Sequence, residues 1–168
     1  MTLDQINKAE EHAVREEFLR CCGSKNWAKQ MAKCRPFHDA KELLRTAEII
    51  WKELSKEDWL EAFTCHPKIG DLESLHATFS HTQAWAEAEQ AGVTKASDES
   101  LKKLAERNKL YEETYGYIFI VCATGKSAED MLAMLEQRLG NDARTEIGIA
   151  AGEQSKITAI RLEKLLQR

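Results

Sequence analysis

The sequence predicts an all-α protein, a single-domain multi-helix bundle with one short extended connector, and three observations lead there. Prolines number only two, Pro36 and Pro67, so few positions forbid a helix. Apolar residues recur at helical spacing, most clearly in residues 41–54. There Leu43, Leu44, Ala47, Ile50, Trp51 and Leu54 form one stripe, with Lys41, Arg45, Lys52 and Glu53 outside it. The third observation is a lone β-branched and aromatic run, Tyr117-Ile118-Phe119-Ile120-Val121-Cys122-Ala123, flanked by Gly116 and Gly125 and too short for a helix. A chain of 168 residues that is 43% hydrophobic suffices for the core of one domain, here residues 1–168.

Taken in order, helices are expected at residues 3–9, 11–22, 26–33 and 41–54, then one capped by Ser55 that leads to His66, and at 72–79, 82–91, 98–115, 128–138, 142–150 and 153–166. Ser55, with Asp58 three residues on, is a capping-box pattern opening the fifth, and Trp59, Leu60 and Phe63 are its apolar side. Trp27, Trp51, Trp59 and Trp85 lie within apolar faces and serve packing. Asn108, Tyr111 and Tyr115 give the 98–115 helix a polar-aromatic edge, its tyrosines again assigned to the core. Ser127 and Asp130 repeat the capping box before the 128–138 helix. The run at 117–123 has no sheet partner in the sequence, so its main-chain amides need other partners, and a bound polar ligand is one.

Composition narrows the function. A net charge of -4, a pI near 5.8 and basic residues scattered among acidic ones leave no footprint for DNA or RNA. No apolar run approaches the ~20 residues that span a bilayer, and no secretory signal opens the sequence, so a cytoplasmic protein is expected. The five cysteines, Cys21, Cys22, Cys34, Cys65 and Cys122, include no C-x-x-C pair and read as reduced packing residues. His76 and His81 miss the i, i+4 spacing of two ligands on one helical face, so no metal is expected. Ala123-Thr124-Gly125-Lys126-Ser127 resembles the tail of a phosphate loop, yet the glycine required five positions before Gly125 is Ile120. A nucleotide-binding protein is therefore a remote reading.

The chemistry-bearing stretch is Cys65-His66-Pro67-Lys68-Ile69-Gly70-Asp71. Pro67 disfavours helical dihedrals at His66, so the helix stops and the imidazole is held at the rim of whatever lies there. Two further charges sit on apolar faces. Arg161 has Ile157, Ile160, Lys164 and Leu165 as near neighbours, and Glu89 falls one turn after Trp85 with Gly92 as a C-cap. Either they pair with each other or with neighbours as an ordinary buried salt bridge, or both face one pocket.

Together these pieces resemble the 2-oxo-4-hydroxy-4-carboxy-5-ureidoimidazoline (OHCU) decarboxylase family. The resemblance rests on Asn7, Glu16-Glu17-Phe18, Trp27, Arg35-Pro36-Phe37, His66-Pro67-Lys68-Ile69-Gly70, Glu89-Gln90-Ala91-Gly92, Asn108-Lys109-Leu110-Tyr111, residues 119–123 and the stretch from Ile157 through Arg161-Leu162. Each is weak alone; in this order they are specific. The resemblance implies an all-helical homodimer that uses neither metal nor organic cofactor and converts its small ureidoimidazoline substrate to S-allantoin, the last step from urate. It implies catalytic roles for His66, Glu89 and Arg161. It also implies a substrate site lined by Pro67, by Ala86, Glu87, Ala88, Glu89 and Gln90, and by the backbone of Phe119, Ile120, Val121, Cys122 and Ala123. Some members have serine where this chain has Ala86, so one hydroxyl contact is absent. That single departure is what a catalytically silent module of the same fold would rest on.

Overall fold

The computed structural model describes residues 1–66 and 98–167, and the helices expected at 72–79 and 82–91 lie outside them. Eight helices are present among the described residues, and no strand: α1 (Leu3–Lys8), α2 (Glu11–Cys22), α3 (Lys25–Lys33), α4 (Ala40–Glu53), α5 (Lys56–Phe63), α6 (Asp98–Tyr115), α7 (Ala128–Arg138) and α8 (Ala143–Leu166). The all-α expectation holds, and residues 118–123 run between α6 and α7 without helix, as the β-branched composition requires. Among the described residues no helix is long and apolar enough to cross a membrane.

Packing divides the chain into two compact units, residues 1–62 with 154–168, and residues 63–153. In the first, Phe18 meets Trp27 and Phe37 edge-on, with ring centroids 6.0 and 6.4 Å apart, and the Trp27 indole donates to the Ala47 carbonyl at 3.0 Å. Of the stripe read along α4, Leu43, Ala47, Ile50, Trp51 and Leu54 are in the core and Leu44 is half-buried. Polar residues of the Asn7 and Arg35-Pro36-Phe37 motifs act as fasteners. The Asn7 amide exchanges two hydrogen bonds with the Phe37 main chain at 2.8 and 2.9 Å, and Arg35 donates to the Ile6, Ala9 and Ala32 carbonyls at 2.8, 2.6 and 2.9 Å. Those carbonyls lie at the ends of α1 and α3, where the helix supplies no partner of its own.

Local signals are realised as read. Ser55 accepts from the Asp58 N–H while Asp58 accepts from the Ser55 N–H, both at 3.3 Å, and Ser127 and Asp130 form the same reciprocal pair at 3.1 and 3.0 Å. One boundary is corrected: the two helices expected at 142–150 and 153–166 are the single α8. Its glycines, Gly148 and Gly152, do not break it, because a helical glycine costs only about 1 kcal/mol against alanine. Burial of Ile147 and Ala150 before the expected gap, of Ala151 within it, and of Gln154, Ile157 and Thr158 after it, outweighs that cost. Cys34 also departs from expectation: Cys21, Cys22 and Cys122 are buried and in no disulfide, but Cys34 is exposed.

A Cβ built on the exposed Gly148 meets no atom within 4 Å. Gly148→Ala is expected to raise stability by about 0.4–1 kcal/mol, by narrowing the unfolded ensemble and favouring the helix. Urea unfolding would show it as a higher midpoint at unchanged slope; a lower midpoint would mean the position does not tolerate a side chain.

Candidate active site

His66 lies where the sequence places it, just past the end of α5, half-buried, with its N–H donating to the Phe63 carbonyl at 3.2 Å. Pro67 and residues 86–90, Glu89 included, lie outside the described residues. Arg161 is on α8 in the first unit and is 2% exposed, among the buried Ile157, Thr158, Leu162 and Leu165. Its expected burial beside the apolar stripe is therefore met.

The second unit holds the 119–123 connector, and its surroundings were not foreseen. Arg138, at the end of α7, donates from Nη1 to the Ile120 carbonyl at 2.7 Å. Its Nε and Nη2 lie 2.7 and 2.6 Å from Glu146 Oε1 on α8, and its guanidinium stacks over the Phe119 ring at 4.5 Å. Glu146 is itself completely buried and accepts from the Tyr111 hydroxyl, and from Asn141 Nδ2 at 2.8 Å. Two helical turns along α8, Glu153 accepts from the Cys122 N–H at 2.8 Å, and Lys126 Nζ donates to the Cys122 carbonyl at 2.6 Å. The amides at 117–123 thus find side-chain partners, at Ile120 and Cys122. Among the described residues the main-chain groups of Val121 have no hydrogen-bond partner.

Tyr111, Tyr115 and Tyr117 close this network. Tyr111 packs edge-on against Tyr117 and Phe119, and Tyr115 places its hydroxyl 2.8 Å from the carbonyls of both Arg138 and Asn141. Burial, then the hydrogen bond to Glu146, drives the Tyr111 phenol far above its usual range. Burial raises that of Tyr117 to about 12, and the Tyr117 hydroxyl has no hydrogen-bond partner among the described residues.

Arg138, Glu146 and Glu153 were missed, although a signal for two of them existed. Glu146, Ala150, Glu153, Ile157 and Arg161 recur at i, i+4, i+7, i+11 and i+15, one stripe of α8, and all five are buried. Reading Arg161 back along an unbroken helix would have exposed both glutamates. Breaking that helix near Gly152 hid them.

Fold and site define a small all-helical protein whose buried charges hold a non-helical main-chain segment in place. A profile of the OHCU decarboxylase family matches residues 7–163, and the chain belongs to that family. It is similar to the uric acid degradation bifunctional protein of Arabidopsis thaliana, at 40% identity over 153 residues that make up 89% of this chain and 46% of that protein. It therefore spans less than half of that relative. The 2-oxo-4-hydroxy-4-carboxy-5-ureidoimidazoline decarboxylase of Haloferax volcanii is 24% identical over 163 residues, 96% of this chain and 94% of its own. Among solved structures, a crystal structure of OHCU decarboxylase in the presence of (S)-allantoin superposes with a TM-score of 0.79 at 37% identity, over 95% of this chain and 100% of that one.

Two outcomes follow from the network. Glu146→Ala strands the Arg138 charge in the core and should cost about 3–5 kcal/mol in chemical denaturation, much of it recovered when Arg138→Met is paired with Glu146→Leu. In the alkaline range, Tyr117 stays neutral in the folded state up to about 12, whereas the unfolded phenol ionises near 10.0. Its stabilising share is complete below pH 10 and is lost as pH rises toward 12. Melting temperatures across that window should fall less steeply for Tyr117→Phe than for the parent protein; parallel curves would contradict the assignment.

Proposed function

We propose that the protein catalyses the cofactor-independent decarboxylation of 2-oxo-4-hydroxy-4-carboxy-5-ureidoimidazoline to S-allantoin, the last step of urate oxidation to allantoin in purine catabolism. Membership of the family carries this reading. Its chemistry suits a site built from side chains alone. The departing carboxylate sits on a carbon adjacent to a ring C=N, so when the C–C bond breaks and carbon dioxide leaves, the electron pair flows onto nitrogen. The protein must then hold the carboxylate in a reactive orientation, stabilise the developing charge and deliver a proton to one face of the carbon, so that one enantiomer forms.

In this reading His66 contacts the carboxylate region and acts as the acid, since an imidazole can supply a proton near neutral pH. Glu89 accepts hydrogen bonds from ring or ureido N–H groups, and Arg161 donates to a carbonyl oxygen. Pro67, residues 86–90 and the backbone of 119–123 line the substrate. The burial of Arg161 supports its role, because a guanidinium withdrawn from water interacts more strongly with a polar ligand. Main-chain groups of Val121 without a partner among the described residues support that of the connector. The protein works as one domain over residues 1–168, as a homodimer, in the cytoplasm, on a small molecule and not on nucleic acid or membrane. The family match across residues 7–163 runs through both compact units, which favours a single functional domain.

Generating the unstable substrate in situ from urate with the two upstream activities, and following optically active allantoin by circular dichroism, tests the activity. Decay no faster than the uncatalysed background would sink it. His66→Ala is expected to lose about 10²–10⁴-fold in rate, the usual contribution of a positioned acid, while Glu89→Ala and Arg161→Ala should impair kcat and KM together.

A further inference from the structure

We propose that Glu153 and Arg138 are positioning residues that polarise the two peptide groups on either side of Val121, so that this residue offers a strengthened donor and a strengthened acceptor to an amide or ureido group of the substrate. The proposal rests on the decarboxylase reading for its substrate and on the hydrogen bonds of the connector for its geometry.

Side-chain partners of the connector fall on alternate residues, with Arg138 on the Ile120 carbonyl, and Glu153 and Lys126 on the N–H and carbonyl of Cys122, while the Ala123 carbonyl accepts from the Lys126 N–H in the turn that follows. In an extended chain the N–H and C=O of one residue point to the same edge, and those of the next residue to the opposite one. The bonded edge therefore belongs to Ile120 and Cys122. Val121 presents its N–H and C=O on the other edge, and neither has a hydrogen-bond partner among the described residues.

Each anchored group shares a planar peptide unit with a group of Val121. The Ile120 carbonyl, 2.7 Å from the Arg138 guanidinium, belongs to the unit that carries the Val121 N–H. A cation on the oxygen draws electron density from the nitrogen, which makes that N–H a better donor. The Cys122 N–H, 2.8 Å from the Glu153 carboxylate, belongs to the unit that carries the Val121 carbonyl. An anion accepting from the nitrogen pushes density toward the oxygen, which makes that carbonyl a better acceptor. Chained hydrogen bonds reinforce one another in this way where water is excluded. Here Val121, Cys122, Arg138 and Glu153 are 6%, 7%, 5% and 6% exposed. A neutral side chain would satisfy the Cys122 N–H equally well, so placing a carboxylate there has a consequence that satisfaction alone does not explain. The matching ligand group carries a carbonyl and an N–H side by side, as ureido and ring amide groups do.

Glu153 is the practical place to test this, because Arg138 also anchors the core. Glu153→Gln keeps an acceptor for Cys122 and removes the charge; Glu153→Ala removes both. With kcat and KM measured on substrate generated in situ, Glu153→Ala is expected to lose about 10–100-fold in kcat/KM, the range for outer-shell groups that hold a site. Glu153→Gln should recover part of that loss while melting like the parent. Backbone chemical shifts of Val121 and Cys122 should move stepwise from Glu to Gln to Ala. Glu153→Ala within twofold of the parent would overturn the proposal, as would a folded Glu153→Gln with parental kcat/KM and parental Val121 shifts; the Gln variant decides if Ala does not fold. Should the parent protein itself not turn over the substrate, the activity reading fails by itself. In that case, titration with (S)-allantoin must move the Val121 amide in the parent and less in Glu153→Gln, and equal movement or none in both would overturn the positioning role.

Discussion

The ion pair between Arg138 and Glu146 is the constraint on which the second unit is built. Both charges are buried, so neither can separate from the other without leaving an unpaired ion in the core. Because Arg138 ends α7 and Glu146 opens α8, their contact fixes how those helices meet. Tyr111 brings α6 into the same arrangement through its hydroxyl on Glu146, and the remaining guanidinium nitrogen takes the Ile120 carbonyl. Three helices and the connector are thereby tied to one carboxylate. Apolar residues of the same volume often pack as stably as a buried ion pair. What they would not do is specify where an irregular main chain must lie.

That specification matters because, among the described residues, the connector has no strand beside it. An extended segment in a sheet satisfies its amides from neighbouring strands; residues 118–123 lie among helices, whose own main-chain groups are already used. Side chains that reach in from α7, α8 and the turn at Lys126 take over that role at Ile120 and Cys122. The first unit solves the same problem in neutral form, with the Asn7 amide standing in for a strand at Phe37 and Arg35 closing helix ends that would otherwise keep open carbonyls. Motif residues that look chemical in the sequence can thus be fasteners, and those that look like core tyrosines can belong to a polar network.

Arg161 was legible as a charge on an apolar face, and it is buried. His66 was legible from Pro67, since the residue before a proline resists helix, and α5 ends just ahead of it. Glu146 and Glu153 obey the same periodic rule as Arg161 but lay across a boundary drawn at a glycine, and a glycine's modest helical cost is easily outweighed by burial. Arg138 offered no comparable signal: it is one basic residue in the last turn of α7, where a cation is ordinary at the surface.

By itself the sequence determined the helices among the described residues apart from the continuity of α8, the two capping boxes, the interruption at 118–123 and the family. Each depends on residues within about one or two turns of one another, or on a linear order of motifs, and such information is written along the chain. Tertiary structure decided which carboxylate meets which guanidinium, that α8 runs unbroken, and that the connector is held at Ile120 and Cys122. Those outcomes pair groups up to 35 positions apart, as Tyr111 and Glu146 are, and their energies depend on the exclusion of water that only the packed fold provides.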